Sequence, residues 1–314
     1  MSKNTVVALT TDPEDYAKKL QALHLPDLDI LVPQDPRSAR AEVGEANIII
    51  GQPPLAKLYI NEAKNIVWMQ SSFAGINALI GDELRQDYLL TNVKGVYGEL
   101  MAEYVLAYIF LFEKEILENI DYQKEKQWKN RDAHYVQGKT VTILGTGSVG
   151  KEVARKAKAV GLKTLGYQEN QESVECFDQV FFGNGLGECL RQADYVVGVL
   201  PKTKGTTNLL NYQTFSVMKP SAILLNIGRG NAVNEDDLLQ AIQNKKIARA
   251  VLDVFNEEPL PPDSQLWSTE NIYITPHMSA YIVSDKVFEI FAENYRRFIA
   301  GEKLMYQIDF IRGY

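Results

Sequence analysis

The stretch that decides the fold is Val141-Thr-Ile-Leu-Gly-Thr-Gly-Ser-Val-Gly150, which leads into Lys151-Glu-Val-Ala-Arg-Lys-Ala157. A short apolar run enters a glycine-rich turn, and the residues after the turn predict a helix. This arrangement is typical of a βαβ unit that binds a dinucleotide, because the glycines permit a tight turn and a close approach of the backbone to a pyrophosphate at the helix N-terminus. The alternative is an ordinary corner between a strand and a helix, and the flanking segments favour the dinucleotide interpretation.

On both sides of this turn, short apolar runs alternate with amphipathic segments, which predicts an α/β fold. The runs are unbroken rather than alternating, so we expect helices on both faces of a doubly wound parallel sheet. The polar residues 114–138 are expected to form a surface excursion between elements. The predicted strands are Val6–Thr10, Leu28–Val32, Asn47–Gly51, Asn65–Ser71, Thr91–Val93, Val141–Leu144, Lys163–Tyr167, Tyr195–Val199, Ala222–Asn226, Ala248–Asp253 and Ile272–Thr275.

Three further helices are predicted from capping residues and periodicity. Pro13–Leu23 begins with a proline at the first helical position, after Asp12 as the N-cap. Ser284–Ala300 places aromatic side chains at helical spacing, which indicates a packing stripe, and Gly301 then ends the helix. Glu99–Glu113 is apolar nearly all round, so we expect it to be buried between domains.

Length and composition exclude several classes of protein. With 314 residues the chain exceeds an average domain, which predicts two domains. It has 33 Lys and Arg against 40 Asp and Glu, a net charge of −7, and no block of basic residues that would bind nucleic acid or anionic lipid. No apolar run is long enough to span a membrane, and no signal peptide is recognisable, so we expect a cytoplasmic protein. Cys176 and Cys189 alone cannot build a disulfide framework or a zinc module.

The end of the second strand in the dinucleotide unit bears on the choice between NAD and NADP. Sites that bind NAD usually place Asp or Glu there, about 20 residues after the turn, to bond the ribose 2′-hydroxyl. This chain has Gln168 at that position, which lacks the charge that rejects a 2′-phosphate, and residues 168–175 contain no Arg or Lys that would attract one. The cofactor is therefore predicted to be NAD or NADP, and the acidic Glu169 and Glu172 favour NAD.

Three segments at predicted strand ends carry a guanidinium, a carboxylate and an imidazole: Leu225-Asn-Ile-Gly-Arg229, Leu252-Asp-Val-Phe-Asn-Glu-Glu258 and Ile274-Thr-Pro-His277. Ligands of open α/β sheets bind at these ends. The set suits hydride transfer to a 2-oxo acid, because the guanidinium would bind carboxylate and the imidazole would exchange a proton with the carbonyl oxygen. A nearby carboxylate would stabilise the imidazolium. Each residue alone has an ordinary structural explanation, and the combination favours catalysis without a metal ion.

The order of these motifs carries a resemblance. Gly145-Thr-Gly-Ser-Val-Gly150, Asn226-Ile-Gly-Arg-Gly230, Asp253-Val-Phe-Asn-Glu-Glu-Pro-Leu-Pro261 and Thr275-Pro-His277 together resemble the D-isomer-specific 2-hydroxyacid dehydrogenase family. The stretch before the last motif is similar to the glyoxylate/hydroxypyruvate reductase branch, and Phe73-Ala-Gly75 is similar to the substrate loop of the family. The resemblance implies an enzyme that transfers a hydride between NAD(P) and a small 2-oxo or 2-hydroxy acid.

The resemblance also implies the residues of the site. Arg229 would clamp the substrate, His277 would act as acid and base, and Glu258 would orient it. Substrate contacts are implied for Phe73, Ala74, Gly75, Arg229 and His277, with the substrate carboxylate on the amides of Ala74 and Gly75. Cofactor contacts are implied for Gly145, Gly147, Ser148, Val149, Gly150, Gln168, Leu200, Pro201, Thr206, Asn226, Ile227, Gly228, Arg229, Asp253 and His277. Among these, Thr206 would reach a phosphate and Asp253 would hold the nicotinamide carboxamide.

The motif positions predict a discontinuous domain organisation, because the dinucleotide unit occupies the middle of the chain. We expect a Rossmann domain at 98–281, inserted in a flavodoxin-like α/β substrate domain formed by 1–97 and 282–314. The apolar helix at 99–112 favours a homodimer, and it equally suits an interface within the chain. Two alternatives stay open: a dinucleotide-sensing scaffold of the same fold, similar to a transcriptional co-repressor, and a Rossmann methyltransferase.

Overall fold

The chain divides into two compact units. A computed structural model describes residues 3–130, 132, 134–169, 174–280 and 285–310. One unit consists of Met1–Val96 with Ile282–Tyr314 and is called the terminal unit below, and the other, Tyr97–Tyr281, is called the central unit. Each unit contains one β-sheet in which all the paired strands are parallel.

The described residues form twelve strands and ten α-helices. The strands are β1 (Asn4–Leu9), β2 (Leu28–Leu31), β3 (Ile48–Gly51), β4 (Trp68–Ser71), β5 (Leu89–Thr91), β6 (Thr140–Leu144), β7 (Lys163–Gln168), β8 (Gln179–Phe182), β9 (Tyr195–Gly198), β10 (Ile223–Asn226), β11 (Arg249–Leu252) and β12 (Ile272–Ile274). The helices are α1 (Pro13–Ala22), α2 (Arg40–Glu45), α3 (Pro53–Ala56), α4 (Gly98–Glu113), α5 (Ile116–Lys124), α6 (Ser148–Ala159), α7 (Leu186–Gln192), α8 (Tyr212–Ser216), α9 (Glu235–Gln243) and α10 (Asp285–Ala300).

The terminal unit has a five-stranded sheet in the order β2-β1-β3-β4-β5. This is the strand order of flavodoxin-like folds. Helix α1 begins as predicted, because Asp12 accepts a hydrogen bond from the Asp15 N–H at 3.3 Å and Pro13 follows at the first helical position. Helix α10 ends as predicted, with Gly301 in the left-handed region at a φ of +69°.

The aromatic stripe of α10 packs against the terminal sheet. Trp68 of β4 stacks on Phe291 and Phe298, with ring centroids 5.3 and 5.4 Å apart. Tyr16 of α1 meets Phe288 edge to face at 5.0 Å. The interpretation of this stripe as packing rather than as a cofactor site is confirmed, and it explains why the C-terminal helix belongs to the same unit as the first strands.

The central unit has a seven-stranded sheet in the order β12-β11-β10-β9-β6-β7-β8. This is a Rossmann order, in which the chain turns outward in one direction from β6 through β7 and in the other from β9. The glycine-rich turn directly follows β6. It therefore lies at the point where the strand order reverses, which is where open α/β sheets bind their ligands.

Both faces of the central sheet are covered, as the unbroken apolar runs predict. Val141 and Ile143 contribute to one buried cluster, and Leu144 of the same strand contributes to another. Several predictions were wrong in detail. The strand predicted at Thr91–Val93 is β5 at Leu89–Thr91, and the one predicted at Asn65–Ser71 begins only at Trp68. The edge strand β8 was missed, because Phe182 at its end is exposed and the run is short. Helix α5 lies within residues 114–138, where a surface excursion was expected; the described side chains of this helix are partly or fully exposed.

Helix α4 packs against α6 within the central unit. Ala102, Val105 and Ile109 are fully buried there, whereas Tyr108 and Phe110 are only partly buried. The helix therefore keeps part of its apolar surface outside the core of its own unit. Among the described residues, no helix is both long enough and apolar enough to cross a membrane.

Candidate active site

The glycine-rich turn after β6 has the geometry that a dinucleotide requires. Gly145 adopts a φ of +104°, which glycine adopts without steric strain. A Cβ at Gly150 would lie 2.0 Å from the Gly145 carbonyl oxygen, so the turn and the helix pack too closely for any side chain there. A Cβ at Gly147, in contrast, would meet no described atom within 4 Å. The space beside Gly147 is therefore open to a ligand.

Helix α6 begins directly at this turn. Gly147 is its N-cap residue and provides no side-chain hydrogen bond to the first turn of the helix. The N–H groups at Ser148 and Val149 and the positive end of the helix dipole are suited to bind a phosphate anion. An uncapped helix start beside an open space fits a dinucleotide pyrophosphate.

The end of β7 carries a neutral amide where the ribose is expected. Gln168 accepts a hydrogen bond from the hydroxyl of Thr146, a residue of the glycine-rich turn. The amide is thereby tied to the turn, and it offers neither a carboxylate nor a cation to the 2′ position. Glu169 follows as an exposed residue, whereas Glu172 lies outside the described residues.

The segment after β9 was expected to pass over the adenosine side. Leu200 is buried there, and Thr206 folds back on its own loop. The Thr206 hydroxyl donates to the Pro201 carbonyl at 2.6 Å and accepts from the Thr203 N–H at 3.0 Å. Because its only hydroxyl proton is used within the loop, a donor contact from Thr206 to a phosphate requires the side chain to rotate. That contact stays a prediction.

The turn after β10 fixes the backbone of Arg229. Asn226, which is fully buried, donates to the Arg229 carbonyl at 3.1 Å. A Cβ at Gly228 would lie 2.7 Å from the Leu200 nitrogen, and one at Gly230 would lie 1.9 Å from the Phe255 carbonyl carbon. The two glycines that flank the arginine are therefore required by close packing, and they hold the turn between neighbouring loops.

The guanidinium of Arg229 is partly buried and interacts electrostatically with the carboxylate of Glu258. Its Nη1 donates to the Gly228 carbonyl at 2.7 Å. Burial lowers the pKa of Arg229, and the negative charge of Glu258 acts in the opposite direction. Ile227, two residues before Arg229, is buried in the core. A partly desolvated cation at a strand end is suited to bind a small anion.

His277 and Glu258 form the central pair of the site. Nδ1 of His277 lies 2.7 Å from Oε2 of Glu258, and Oε1 of Glu258 accepts from the Phe255 N–H at 3.0 Å. An ionised carboxylate only accepts, so Nδ1 carries the proton and Nε2 is the nitrogen left for proton exchange. The predicted Arg229, Glu258 and His277 thus lie in one electrostatically coupled group.

The pair shifts both titrations towards the charged forms. The hydrogen bond to Glu258 raises the pKa of His277, and it outweighs the opposing effect of partial burial. Burial disfavours the ionised form of Glu258, but the hydrogen bonds from His277 and from the Phe255 N–H outweigh it and lower the pKa of this carboxyl. An imidazolium stabilised in this way is suited to donate a proton near neutral pH.

Asp253 holds the loop that carries His277. It is fully buried, and its carboxylate accepts from the Thr275 hydroxyl at 2.6 Å, from the Met278 N–H at 2.8 Å and from the Ser279 N–H at 3.0 Å. Its carbonyl accepts from the His277 N–H at 2.8 Å. His277 has a φ of +51°, in the left-handed region that costs a non-glycine residue about 1 kcal/mol or more. These hydrogen bonds hold it there.

In the terminal unit, the residues after β4 form the predicted substrate loop. Ser71 fixes its start, because its hydroxyl donates to the Phe73 carbonyl at 2.7 Å and accepts from the Phe73 N–H at 3.0 Å. Asn92 donates to the Ala74 carbonyl at 2.8 Å. In the part of the chain that the structure describes, the N–H groups of Ala74 and Gly75 make no hydrogen bond. They are available to an anion.

Sequence reasoning missed the residues that support these two loops. Asn92 was assigned to the strand predicted at Thr91–Val93, but β5 ends at Thr91 and the amide of Asn92 reaches Ala74. Thr275 was noted only as part of a motif, and its hydroxyl bonds Asp253. Tyr104 of α4 reads as one more apolar position in a buried helix, yet its hydroxyl lies 2.6 Å from that of Thr275. Of these three residues, only Thr275 could have been recognised from the sequence, because it lies in the same short motif as His277.

Comparison with known proteins identifies the family. Residues 106–279 match the family model described as D-isomer specific 2-hydroxyacid dehydrogenase, NAD binding domain. The chain belongs to this family.

Three relatives of the dehydrogenase illustrate the similarity. The crystal structure of a D-isomer specific 2-hydroxyacid dehydrogenase family protein from Aeromonas salmonicida subsp. salmonicida A449 is 42% identical, with a TM-score of 0.94 over 98% of this chain and 100% of that chain. Glyoxylate/hydroxypyruvate reductase A of Serratia proteamaculans (strain 568) is 31% identical over 69% of each chain. The D-isomer specific 2-hydroxyacid dehydrogenase of Xanthobacter autotrophicus Py2, solved in complex with NADPH and MES, is 28% identical, with a TM-score of 0.86 and full coverage of both chains.

Family membership confirms the predicted fold class and the predicted class of enzyme. The dehydrogenase is an NAD(P)-dependent oxidoreductase of the 2-hydroxyacid type, with a Rossmann sheet in its central unit. The co-repressor-like alternative is not favoured, because the named relatives are dehydrogenases and reductases.

Proposed function

We propose that this protein reduces a small 2-oxo acid, of the size of glyoxylate or hydroxypyruvate, to the corresponding 2-hydroxy acid. The observation that carries the proposal is the 2.7 Å pair of His277 and Glu258, electrostatically coupled to Arg229 at the carboxyl edge of the Rossmann sheet. The name of the Serratia relative supports this substrate class. The reverse oxidation uses the same groups.

Arg229 and His277 would both act on the carbonyl oxygen of the substrate, in different roles. Bound NADH or NADPH supplies the hydride for the carbonyl carbon. Arg229 would bind the substrate and stabilise the negative charge that develops on the oxygen, because a preorganised guanidinium is an efficient donor to such charge. His277 would donate the proton from Nε2 to that oxygen, which completes the 2-hydroxy acid. Glu258 would hold the imidazole and stabilise its protonated form.

We propose that the substrate loop binds the carboxylate of the substrate through backbone N–H groups. The amides of Ala74 and Gly75 are unused among the described residues, and Phe73 begins the loop beside them. A carboxylate that accepts two backbone N–H bonds is held without any side-chain charge. In this proposal the terminal unit (predicted at 1–97 and 282–314) serves the substrate and the central unit (predicted at 98–281) serves the cofactor.

The proposed cofactor contacts follow the sheet edge of the central unit. Gly145, Gly147, Ser148, Val149 and Gly150 would enclose the pyrophosphate. Further contacts are proposed for Gln168, Leu200, Pro201, Thr206, Asn226, Ile227, Gly228, Arg229, Asp253 and His277. The acidic Glu169 beside Gln168 supports NAD, whereas the Xanthobacter relative was solved with NADPH, so both cofactors belong in the assay.

We propose that the enzyme is a cytoplasmic homodimer. Helices α4 and α5 support the dimer, because Ile116 and Ile120 are 41% and 43% exposed and several apolar side chains of α4 are only partly buried. Apolar surface of this kind is typical of contacts between subunits. Light scattering should give twice the chain mass, and a mass equal to one chain would overturn the dimer. Cell fractionation tests the location.

The proposed function is tested by a spectrophotometric panel. Glyoxylate, hydroxypyruvate, pyruvate and branched 2-oxo acids are offered with NADH and with NADPH, and loss of the reduced nicotinamide is followed. We expect turnover of the small acids and weak turnover of the branched ones. An enzyme that binds the dinucleotide but reduces none of these acids would contradict the proposal.

A further inference from the structure

A chain of hydroxyl groups runs from α4 to the buried carboxylate of Asp253. The Tyr104 hydroxyl lies 2.6 Å from the Thr275 hydroxyl, and Thr275 lies 2.6 Å from Oδ1 of Asp253. A threonine hydroxyl has one proton, and a carboxylate oxygen only accepts. Thr275 therefore donates to Asp253, and Tyr104 donates to Thr275. The direction of both hydrogen bonds follows from this counting alone.

The end of this chain is the group that shapes the His277 loop. Asp253 accepts the N–H groups of Met278 and Ser279 on its carboxylate and the His277 N–H on its carbonyl. Within the described residues it pairs with no cation, so its buried charge is stabilised by neutral donors. A hydrogen bond to a charged group is stronger than one between neutral groups, and hydroxyl groups in a chain polarise one another in a low dielectric.

Tyr104 is also well placed to act as a permanent donor. Its side chain is partly buried on α4, with its ring 5.0 Å from that of Tyr108. Burial raises the pKa of the Tyr104 hydroxyl, so it keeps its proton at every working pH. Helix α4 itself packs on α6, the helix that follows the glycine-rich turn. Tyr104 therefore belongs to a helix that is packed against another helix, and not to a loop.

We propose that Tyr104 is a positioning residue of the active site: through Thr275 it holds Asp253 and residues 275–279 in the conformation that presents His277 to Glu258. The inference rests on the proposed role of His277 and goes beyond it, because among the described residues Tyr104 makes no hydrogen bond to His277 or Glu258. Loss of its hydroxyl leaves the Thr275 hydroxyl with Asp253 as its single partner and loosens the loop. His277 then spends less time paired with Glu258.

The charged groups that act on His277 are Glu258, Arg229 and Asp253. Glu258 has the largest effect, and its hydrogen bond raises the pKa of His277. A loosened loop weakens this bond, so the pKa of His277 falls when the tyrosine hydroxyl is removed. A change that only lowers the stability of the fold does not move this pKa.

The experiment compares Tyr104→Phe and Thr275→Val with Thr275→Ser, which keeps the hydroxyl. Tyr212→Phe and Thr142→Val are the controls, since each removes a hydroxyl that is hydrogen-bonded elsewhere in the central unit. The pKa of His277 is measured by NMR of the imidazole signals of the purified protein. The chain has three histidines, so His277→Asn identifies the signal. Turnover of the 2-oxo acid and thermal unfolding are measured in parallel.

We expect Tyr104→Phe and Thr275→Val to lower the NMR pKa of His277 and to reduce kcat about tenfold, which corresponds to the loss of about 1.4 kcal/mol. Thr275→Ser and both controls should keep the wild-type pKa and kcat. An unchanged pKa and kcat in Tyr104→Phe overturns the proposal, as does an equal loss in the controls. Because the NMR titration needs no turnover, a wild-type protein that fails to reduce 2-oxo acids would overturn the proposed function and leave the positioning role intact.

Discussion

The carboxyl edges of the two sheets use different chemistry. At the edge of the central sheet, Arg229, Glu258 and His277 form a group of charges that shift one another's pKa values. At the edge of the terminal sheet, the loop after β4 is held by the neutral side chains of Ser71 and Asn92. Both edges hold their loops through buried polar groups, yet only the first can change its charge near neutral pH.

The difference teaches how the two tasks that we propose for these edges place different demands on a site. Transfer of a proton requires a group that titrates, and its neighbours must tune that titration. Binding of a carboxylate requires only fixed N–H groups, which a loop supplies at any pH. Substitutions of Arg229, Glu258 or His277 should therefore change kcat and its pH dependence, whereas substitutions behind the substrate loop should change KM.

The largest effect is expected for His277→Asn, which keeps a polar side chain but removes the acid. We expect kcat to fall by about a thousandfold, within the range known for loss of a general acid. Dinucleotide binding should change little, because His277 is one of many proposed contacts to the cofactor. The control is His134→Asn, because Nε2 of His134 lies 3.9 Å from Oε1 of Glu115, a residue with no proposed role in the site. Equal losses in the two variants would contradict the account.

Glu258→Gln tests how the carboxylate of Glu258 sets the pKa of His277. The hydrogen bond to Glu258 raises the pKa of His277, so its loss lowers that pKa. In the proposed mechanism, reduction of the 2-oxo acid needs protonated His277 and is lost as the pH rises through this pKa. The high-pH limb of the reduction profile should therefore move to lower pH, with kcat reduced about tenfold or more. Glu257→Gln is the neighbouring control, and a limb that moves equally there would refute the assignment of Glu258.

Gly147→Ala examines the cofactor side of the same edge. A Cβ at this position meets no described atom within 4 Å, so the unliganded protein should fold with unchanged stability. The methyl group occupies the space proposed for the pyrophosphate. The Kd for NADPH or NADH should therefore rise about tenfold, which corresponds to a loss of about 1.4 kcal/mol of binding free energy. Gly44→Ala on α2, with equally open surroundings, should leave the Kd unchanged. Calorimetric titration measures the Kd.

Asn92→Ala tests the neutral edge and should have the smallest effect. It removes the 2.8 Å hydrogen bond to the Ala74 carbonyl, which is worth about 1 kcal/mol. We expect KM for the 2-oxo acid to rise about fivefold, with kcat and its pH profile unchanged. Asn65→Ala removes a similar bond, to the Gly44 carbonyl, and is the control. A shifted pH profile in Asn92→Ala would mean that the two edges do not divide the tasks as described.

The fold and the charged edge could be predicted from the sequence because their chemistry is local. A strand, a glycine turn and a helix stand together around Gly145, and Arg229, Glu258 and His277 each lie in a short motif at a strand end. The supporting residues could not be predicted in this way. Asn92 reaches Ala74 across 18 positions and Tyr104 reaches Thr275 across 171, so their roles exist only in the folded chain.

The elements that were missed have a physical reason as well. Strand β8 lies at the edge of its sheet, where one side is unpaired and an exposed Phe182 conceals the apolar pattern. Helix α5 has no buried residue, so its sequence shows little of the apolar periodicity by which helices are recognised. In both cases the sequence pattern is weak because burial is weak.

The central claim is that His277 donates a proton in reduction and accepts it in oxidation. The most direct test is the pH dependence of wild-type kcat for both reactions. Reduction of the 2-oxo acid should fall, and oxidation of the 2-hydroxy acid should rise, as the pH increases through the pKa of His277, which its hydrogen bond to Glu258 raises. Profiles without opposite limbs, or limbs that persist unchanged in His277→Asn, would contradict the claim.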